Sequence, residues 1–146
     1  MVDTPKHSVS VAAVIIDAGR ALLVRRRDNS HWEPPGGVLE LGETIEDGLR
    51  REVREEIGLD IEPVALSGVY KNMARGIVAL VFRCKLPASN WHLTASDEAE
   101  AFHWADQSEV AELADEAYAV RILDAMAADQ HPAIRAHDGV RVLGHQ

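Results

Sequence analysis

The stretch that decides how this chain is read runs from Gly37 to Leu59, GVLELGETIEDGLRREVREEIGL. Its second half has the marks of a short amphipathic helix. Thr44 is placed to cap the N-terminus, with Asp47 three residues on as a short-armed version of the capping box. Ile45, Leu49, Val53 and Ile57 recur every four residues and form one apolar stripe facing a core. Gly58 then supplies the left-handed C-terminal stop. At about 100° per residue, Glu52, Glu55 and Glu56 fall in a sector roughly 100° wide whose centre is about 90° from the stripe. Three carboxylates therefore sit beside the buried seam, not opposite it.

A charged helix face is ordinarily a solvated one. Arg51 is spaced to pair with Glu55 and Glu46 with Arg50, each pair worth roughly 0.2 to 0.5 kcal/mol. Glu52 and Glu56, however, are like charges four apart, which costs a similar amount. A divalent cation relieves that repulsion. Hard carboxylate oxygens in this number suit Mg²⁺ or Mn²⁺, which keep several waters and take the rest of their shell from carboxylates and substrate phosphates.

The spacing also matches a known signature. Gly37, Glu43, Arg51, Glu52, Val53, Glu55, Glu56, Gly58 and Leu59 stand at every specified position of the Nudix box. Nine restricted positions at set spacing coincide by chance on the order of once in a billion windows. The chain thus resembles the Nudix hydrolases. That resemblance implies a metal-dependent enzyme cleaving the diphosphate linkage of a nucleoside diphosphate joined to another group. It also implies an α/β/α sandwich with a mixed sheet over about residues 6 to 130.

Roles carry over by the same resemblance. Glu52, Glu55 and Glu56 are the implied metal ligands, and the carbonyl of Gly36, just before the box, completes the inner shell. Arg51 orients a glutamate, with Glu43 and Glu55 as expected partners, an arrangement that fits how outer residues support metal sites. The base is a box glutamate such as Glu55 in some members, or a glutamate on a loop before a strand ending in Trp. The segment SDEAEAFHW offers Glu98, six residues before Trp104, as that base or an added ligand, with Glu100 second. A solvated acidic loop is the competing reading. An arginine at the place of Arg26 reaches substrate phosphate or sugar in similar enzymes, and alternation puts Arg25 and Arg27 on the other face.

Composition bounds the rest. The chain has 146 residues, 47% of them hydrophobic, enough to bury one proper core and too few for two ordinary domains. Residues 1–130 are expected to form that domain. Apolar runs are strand-sized, so no membrane span is expected, and MVDTPKHSVSV lacks the features of a secretory signal, which makes the cytoplasm the default. The one cysteine, Cys84, lies in the apolar run GIVALVFRCKL and reads as a buried strand thiol. The net charge is −9 and is unevenly placed: residues 96–130 carry ten acids against the lone Arg121. Steering of duplex nucleic acid is therefore disfavoured, and the expected partner is a small nucleotide, met by a monomer or homodimer.

Along the chain, Ser8 to Ile16 and Ala21 to Arg27 read as strands around the turn signal Asp17-Ala18-Gly19-Arg20. In His31 to Gly37, HWEPPGG, two prolines fix the approach and Gly36 and Gly37 let backbone come close to a ligand. Val64 to Lys71, Gly76 to Leu86 and Phe102 to Trp104 read as strands, Ser108 to Leu113 and Glu116 to Ala127 as helices, an α/β pattern. The tail 131–146 shows no periodicity. Disorder is the usual outcome at a terminus, with folding back over the cleft as the alternative. Trp32, Tyr70 and Phe82 are candidates to stack on a base, though packing is the better expectation for each. The seven histidines show no metal-type spacing and no Gly-x-Ser-x-Gly segment occurs.

Substrate markers are sparse. There is no coenzyme A signature upstream of the box, nor the longer N-terminal extension of many ADP-ribose hydrolases. The expectation is a nucleoside triphosphate pyrophosphohydrolase, with ADP-ribose, nucleotide sugars or dinucleoside polyphosphates as alternatives. A nucleotide sensor that uses the fold without turnover is the rival of another class, and the full set of box carboxylates argues against it.

Overall fold

The computed structural model describes residues 3–87, 90–127 and 131–144. The chain opens on a hairpin of β1 (Ser8–Asp17) and β2 (Arg20–Arg26). Ala18 and Gly19 both take positive φ, 50° and 76°, as a two-residue hairpin turn demands. The proline-glycine segment that follows forms two short strands, β3 (Trp32–Glu33) and β4 (Gly36–Val38). Then come α1 (Ile45–Ile57), β5 (Glu62–Asn72), β6 (Ile77–Lys85), β7 (Ala99–Ala105), α2 (Gln107–Leu113), α3 (Glu116–Met126), β8 (Ala133–His137) and β9 (Val142–Leu143).

One mixed sheet joins the nine strands, in the order β3-β2-β1-β6-β5-β8-β9, with β4 on β1 and β7 on β2. β1 is central. Along one edge it runs parallel to β6, from Ser8 against Ile77 to Ile15 against Cys84. Its other edge is shared: Ser10 to Ala12 pair with β4, while Ile16 and Asp17 pair with β2. That edge of β1 thus passes from one partner to the other.

Alternation along β1 buries both faces. Val11, Ala13 and Ile15 join Leu22, Val24, Leu49, Val53, Ile57 and Cys84 on the side of α1. Ala12 and Val14 join Leu23, Tyr70, Val81, Val110 and Ile122 on the side of α2 and α3. Helices on both faces of a mixed sheet make this the α/β/α sandwich expected. Burying each of Leu49, Val53 and Ile57 contributes roughly 1.5 to 3 kcal/mol, and that seam fixes the rotation of α1. Ile45, expected in the same stripe, is 42% exposed, because the helix is only starting to meet the sheet there.

The C-terminal tail is paired into the sheet, where disorder is the usual outcome for a terminus. Gly68 to Asn72 of β5 pair in parallel with Ala133 to His137, and β9 folds back on β8. This segment extends the sheet edge, with His137 set beside Asn72 and Arg121. Its alternation is too short to register as a strand in the sequence, since Ile134 stands on the exposed side, and pairing with β5 is a non-local gain. Residues 128–130, 145 and 146 of the tail lie outside the described residues. No described helix is long and apolar enough to cross a membrane.

Candidate active site

The site grows out of the ends and the flank of α1. Thr44 accepts a hydrogen bond from the Asp47 N–H at 3.2 Å, and Gly58, at φ 76°, donates its N–H back to the Arg54 carbonyl at 3.0 Å. With the apolar seam against β1, Glu56 is carried inward and is only 5% exposed. Its Oε1 accepts the Gly36 N–H at 3.1 Å. Burial pushes its carboxyl up to about 7; the Gly36 bond opposes the rise, and the charges of Glu98 and Glu33 add to it. Glu56 forms no ion pair among the described residues, although the charge of Arg26 acts on it.

Glu52 lies one turn earlier. Burial raises its pKa, opposed by Arg51, whose Nη1 donates to Oε1 at 2.9 Å. Its carboxylate lies over the backbone of Gly37, where an added Cβ would overlap it. At Gly36 an added Cβ would overlap the Val11 carbonyl. The two glycines thus have separate causes: one admits a carboxylate and the other admits β1.

Arg51 gathers the acids around it. Its Nε and Nη2 grip the two oxygens of Glu43 at 2.9 and 2.6 Å, Nη1 also reaches Glu55 at 3.2 Å, and Nη2 donates to the Val38 carbonyl at 3.2 Å. The paired fork holds the Glu43 carboxyl at about 2, helped by the Glu40 N–H. Both partners expected for Arg51 are present, and Glu52 is a third. Glu46 is not held by Arg50, which turns instead to Asp47 and Glu62.

The structure does not show the box glutamates as one tight cluster. Among the described residues no three acidic, histidine or cysteine side chains are gathered closely enough to hold a metal ion. Like charges repel, and each found another partner: Glu52 and Glu55 turn to Arg51, Glu56 to the Gly36 N–H.

Glu98 stands just before β7. Its N–H donates to Ser96 Oγ at 3.2 Å and its carbonyl accepts the Arg27 N–H at 2.8 Å, which fixes the backbone. Its charge acts on both Glu52 and Glu56. Glu100 is spoken for: Arg25 Nε donates to it at 2.7 Å, while the same guanidinium lies 5.6 Å from the centre of the Trp32 ring. Arg26 binds both oxygens of Asp28, at 2.9 and 2.6 Å, and sits 3.7 Å from Glu33. Arg27 bonds the Ser96 carbonyl.

Between β1, β4 and α3 lies a cleft of about 210 Å³, lined by Arg26, Gly36 and Gly37 on one side. Glu33, Asn72, Tyr118 and Arg121 line it as well, and none of these four was singled out as a site residue from the sequence. Arg121 left a signal there, as the lone base in an apolar helix pattern within an acidic stretch. Of the aromatic candidates, Tyr70 is fully buried with its hydroxyl donating to Asp124 at 2.7 Å, and Phe82 packs against the core beside α1. Cys84 is buried too, its thiol pushed up to about 12 by that burial.

A family model, described as NUDIX domain, matches residues 6–126. The chain belongs to the NUDIX family. It is a Nudix hydrolase, and acts on nucleoside diphosphate derivatives. A MutT-like protein from Streptomyces ambofaciens is 52% identical over 140 residues, covering 95% of this chain and 89% of that protein. An ADP-ribose pyrophosphatase from Methanocaldococcus jannaschii is 32% identical over 114 residues, 73% of this chain and 66% of that one. The solved NUDIX hydrolase from Nitrosomonas europaea has the same fold, with a TM-score of 0.78 at 21% identity, over 94% of this chain and 83% of that one.

Proposed function

We propose that this Nudix hydrolase is a nucleoside triphosphate pyrophosphohydrolase, releasing a nucleoside monophosphate and pyrophosphate. The size of the cleft carries the substrate reading. About 210 Å³ beside the box is below the usual range for drug-sized ligands and suits one nucleoside, whereas ADP-ribose or a dinucleoside polyphosphate brings two bulky ends. Similarity to the Methanocaldococcus jannaschii ADP-ribose pyrophosphatase makes ADP-ribose the second reading.

Nudix hydrolases generally need a divalent cation, typically Mg²⁺ or Mn²⁺. The donor chemistry of the residues present suits one, although Glu52 and Glu55 here turn to Arg51 and would have to swing from it to bind. Glu56 is a buried carboxylate without a basic partner in an ion pair, Glu52 lies against a glycine that no side chain could replace without displacing it, and all donors are hard oxygens. Glu52, Glu55 and Glu56 would hold the ion, with the Gly36 carbonyl and Glu98 as further ligands. When bound it neutralises the diphosphate and favours an ionised water.

The chain's own groups supply the rest. Glu98 takes the proton from the water that attacks one phosphorus, and the bond to the bridging oxygen breaks as pyrophosphate leaves. Glu55, more exposed, is the second candidate for that proton. Arg51 acts as a positioning residue through Glu52 and Glu55, anchored by Glu43. Arg26 exchanges Asp28 for a substrate phosphate, and Gly37 brings backbone close to it. Incubating the protein with a nucleotide panel and Mg²⁺, then identifying products, tests the reading: monophosphate plus pyrophosphate is expected from triphosphates. Hydrolysis of ADP-ribose alone would replace it.

A further inference from the structure

The cleft holds a buried cation that the scheme above leaves unused. Arg121 comes from α3 and is 7% exposed, yet no carboxylate forms an ion pair with it among the described residues. Its guanidinium lies 4.7 Å from the Tyr118 ring centre and 5.5 Å from that of Tyr70. Nη2 is 3.0 Å from His137 Nε2. Nε is buried with no hydrogen-bond partner among the described residues. A buried donor without an acceptor is a defect that native structures rarely carry unless something else supplies the acceptor. A guanidinium without a counter-charge adds to the cost. Arg121 lines the same cleft as Gly36 and Gly37, so a group entering that cleft meets it.

The surroundings narrow what that group is. Val11, Ala12, Pro34, Ile77 and the planar Tyr118 ring supply apolar wall in the same cleft. The acid whose charge acts on Arg121 is Glu33, also in the cleft wall, and it would repel an added anion. A neutral planar group with an acceptor edge for Arg121 and a donor edge for Glu33 satisfies both. The guanidinium fork matches two adjacent acceptors. A 6-oxopurine presents that pair, O6 and N7, and carries an N–H at the next ring position.

We propose that Arg121, aimed by His137, reads the O6 and N7 edge of a 6-oxopurine base and is a specificity-determining residue of this enzyme. The proposal rests on the reading of the cleft as a nucleotide site. His137 is the positioning residue. It is 1% exposed, with Nε2 3.0 Å from Arg121 Nη2 and Nδ1 3.0 Å from the Gly139 nitrogen; a neutral ring accepts at only one of the two, and the tautomer that leaves Nε2 free is the one that takes the Arg121 N–H. It belongs to β8, beyond the residues 6–126 that the family model matches, so the contact is made by a strand outside the matched region.

The test is calorimetric binding of guanosine, inosine and adenosine monophosphates to the full chain in EDTA, with hydrolysis of the triphosphates in Mg²⁺ beside it. Guanosine and inosine monophosphates should bind about 10- to 100-fold more tightly than the adenosine nucleotide. 7-Deazaguanosine monophosphate, which lacks the N7 acceptor, should lose most of that advantage against the unaltered protein. Arg121→Lys keeps the charge but not the fork, and should bring all three to the adenosine level. His137→Leu should raise KM for the guanine nucleotide more than for the adenine nucleotide, and His137→Gln, which restores an acceptor, should recover part of the difference. Equal binding of all bases, an unaffected 7-deaza analogue, or Arg121→Lys that weakens every nucleotide alike would overturn the proposal. If Arg121→Lys fails to fold, the 7-deaza comparison decides. Base preference that follows Arg121 without triphosphate hydrolysis would sink the triphosphate reading and keep this one; hydrolysis without base preference would do the reverse.

Discussion

Replacing Glu56 with Gln separates function from architecture at a single atom pair. The amide has nearly the shape of the carboxylate and its oxygen still accepts the Gly36 N–H, but it cannot ionise. Burial raises the Glu56 carboxyl from its ordinary 4.5 to about 7. A carboxyl whose folded pKa lies above its unfolded value favours the protonated folded state. Its contribution is therefore complete below the unfolded pKa and is lost as pH rises through the folded one. Each pH unit between the two is worth roughly 1.4 kcal/mol, and part of the loss already falls below pH 5. Between pH 5 and pH 8 the parent should lose about 2 kcal/mol relative to Glu56→Gln, or about 4 to 8 °C in Tm for a chain of this size. Urea and thermal melts of both proteins in EDTA at the two pH values measure it. With Mg²⁺ the parent should gain stability by mass action and the variant less, while turnover by the variant collapses. A stability difference that does not change with pH would refute the buried, ionising carboxylate. A variant that is less stable at pH 8 and still active would make Glu56 a structural group instead.

Glu98→Gln should lower kcat by roughly two to four orders of magnitude with a smaller change in KM, the range for loss of a general base. Glu100→Gln, whose partner is Arg25, should cost far less, and the reverse ranking in steady-state kinetics would exchange their roles. Arg51→Lys cannot span Glu43, Glu52, Glu55 and the Val38 carbonyl at once, so activity or metal affinity should fall about 10- to 100-fold; isothermal titration with Mn²⁺ beside an activity assay reads both, and unchanged values would return Arg51 to the surface. Gly37→Ala must displace the Glu52 carboxylate, and a folded protein with weakened Mn²⁺ binding is expected by circular dichroism and titration. Normal binding in that variant would mean Glu52 has room to spare.

The local parts of this molecule were legible because their causes are local. Thr44, Gly58 and the seam of Leu49, Val53 and Ile57 define α1 by capping and periodicity. The turn at Ala18 and Gly19 and the partners of Arg51 followed from spacing or from the matching box. What escaped depends on contacts across the sheet. Nothing in AIRAH announces a parallel strand, because its pairing with β5 is set by tertiary approach. Glu33, Tyr118 and Arg121 meet only when β3 and α3 close on the same cleft, and a lone arginine in an acidic helix reads as an ordinary surface charge until its burial is seen. Distance from Trp104 ranks Glu98 before Glu100, and the bond from Arg25 to Glu100 has no local sequence signal, since 75 residues separate the two.

The parallel seat of β8 on β5 also bears on how the protein avoids its own copies. Were the chain cut before Ala133, the Gly68 to Asn72 backbone would present unpaired N–H and C=O groups at the margin of the sheet, with Val69 and Tyr70 among them. Such a margin is a template for a strand from a neighbouring molecule. With β8 in place the outermost strand on this side of the sheet is β9, two residues long and folded back on β8, too short to recruit a partner. β8 and β9 thus act as an internal guard against self-association, and a chain cut before Ala133 is expected to precipitate or pair before it loses the helix that carries its glutamates.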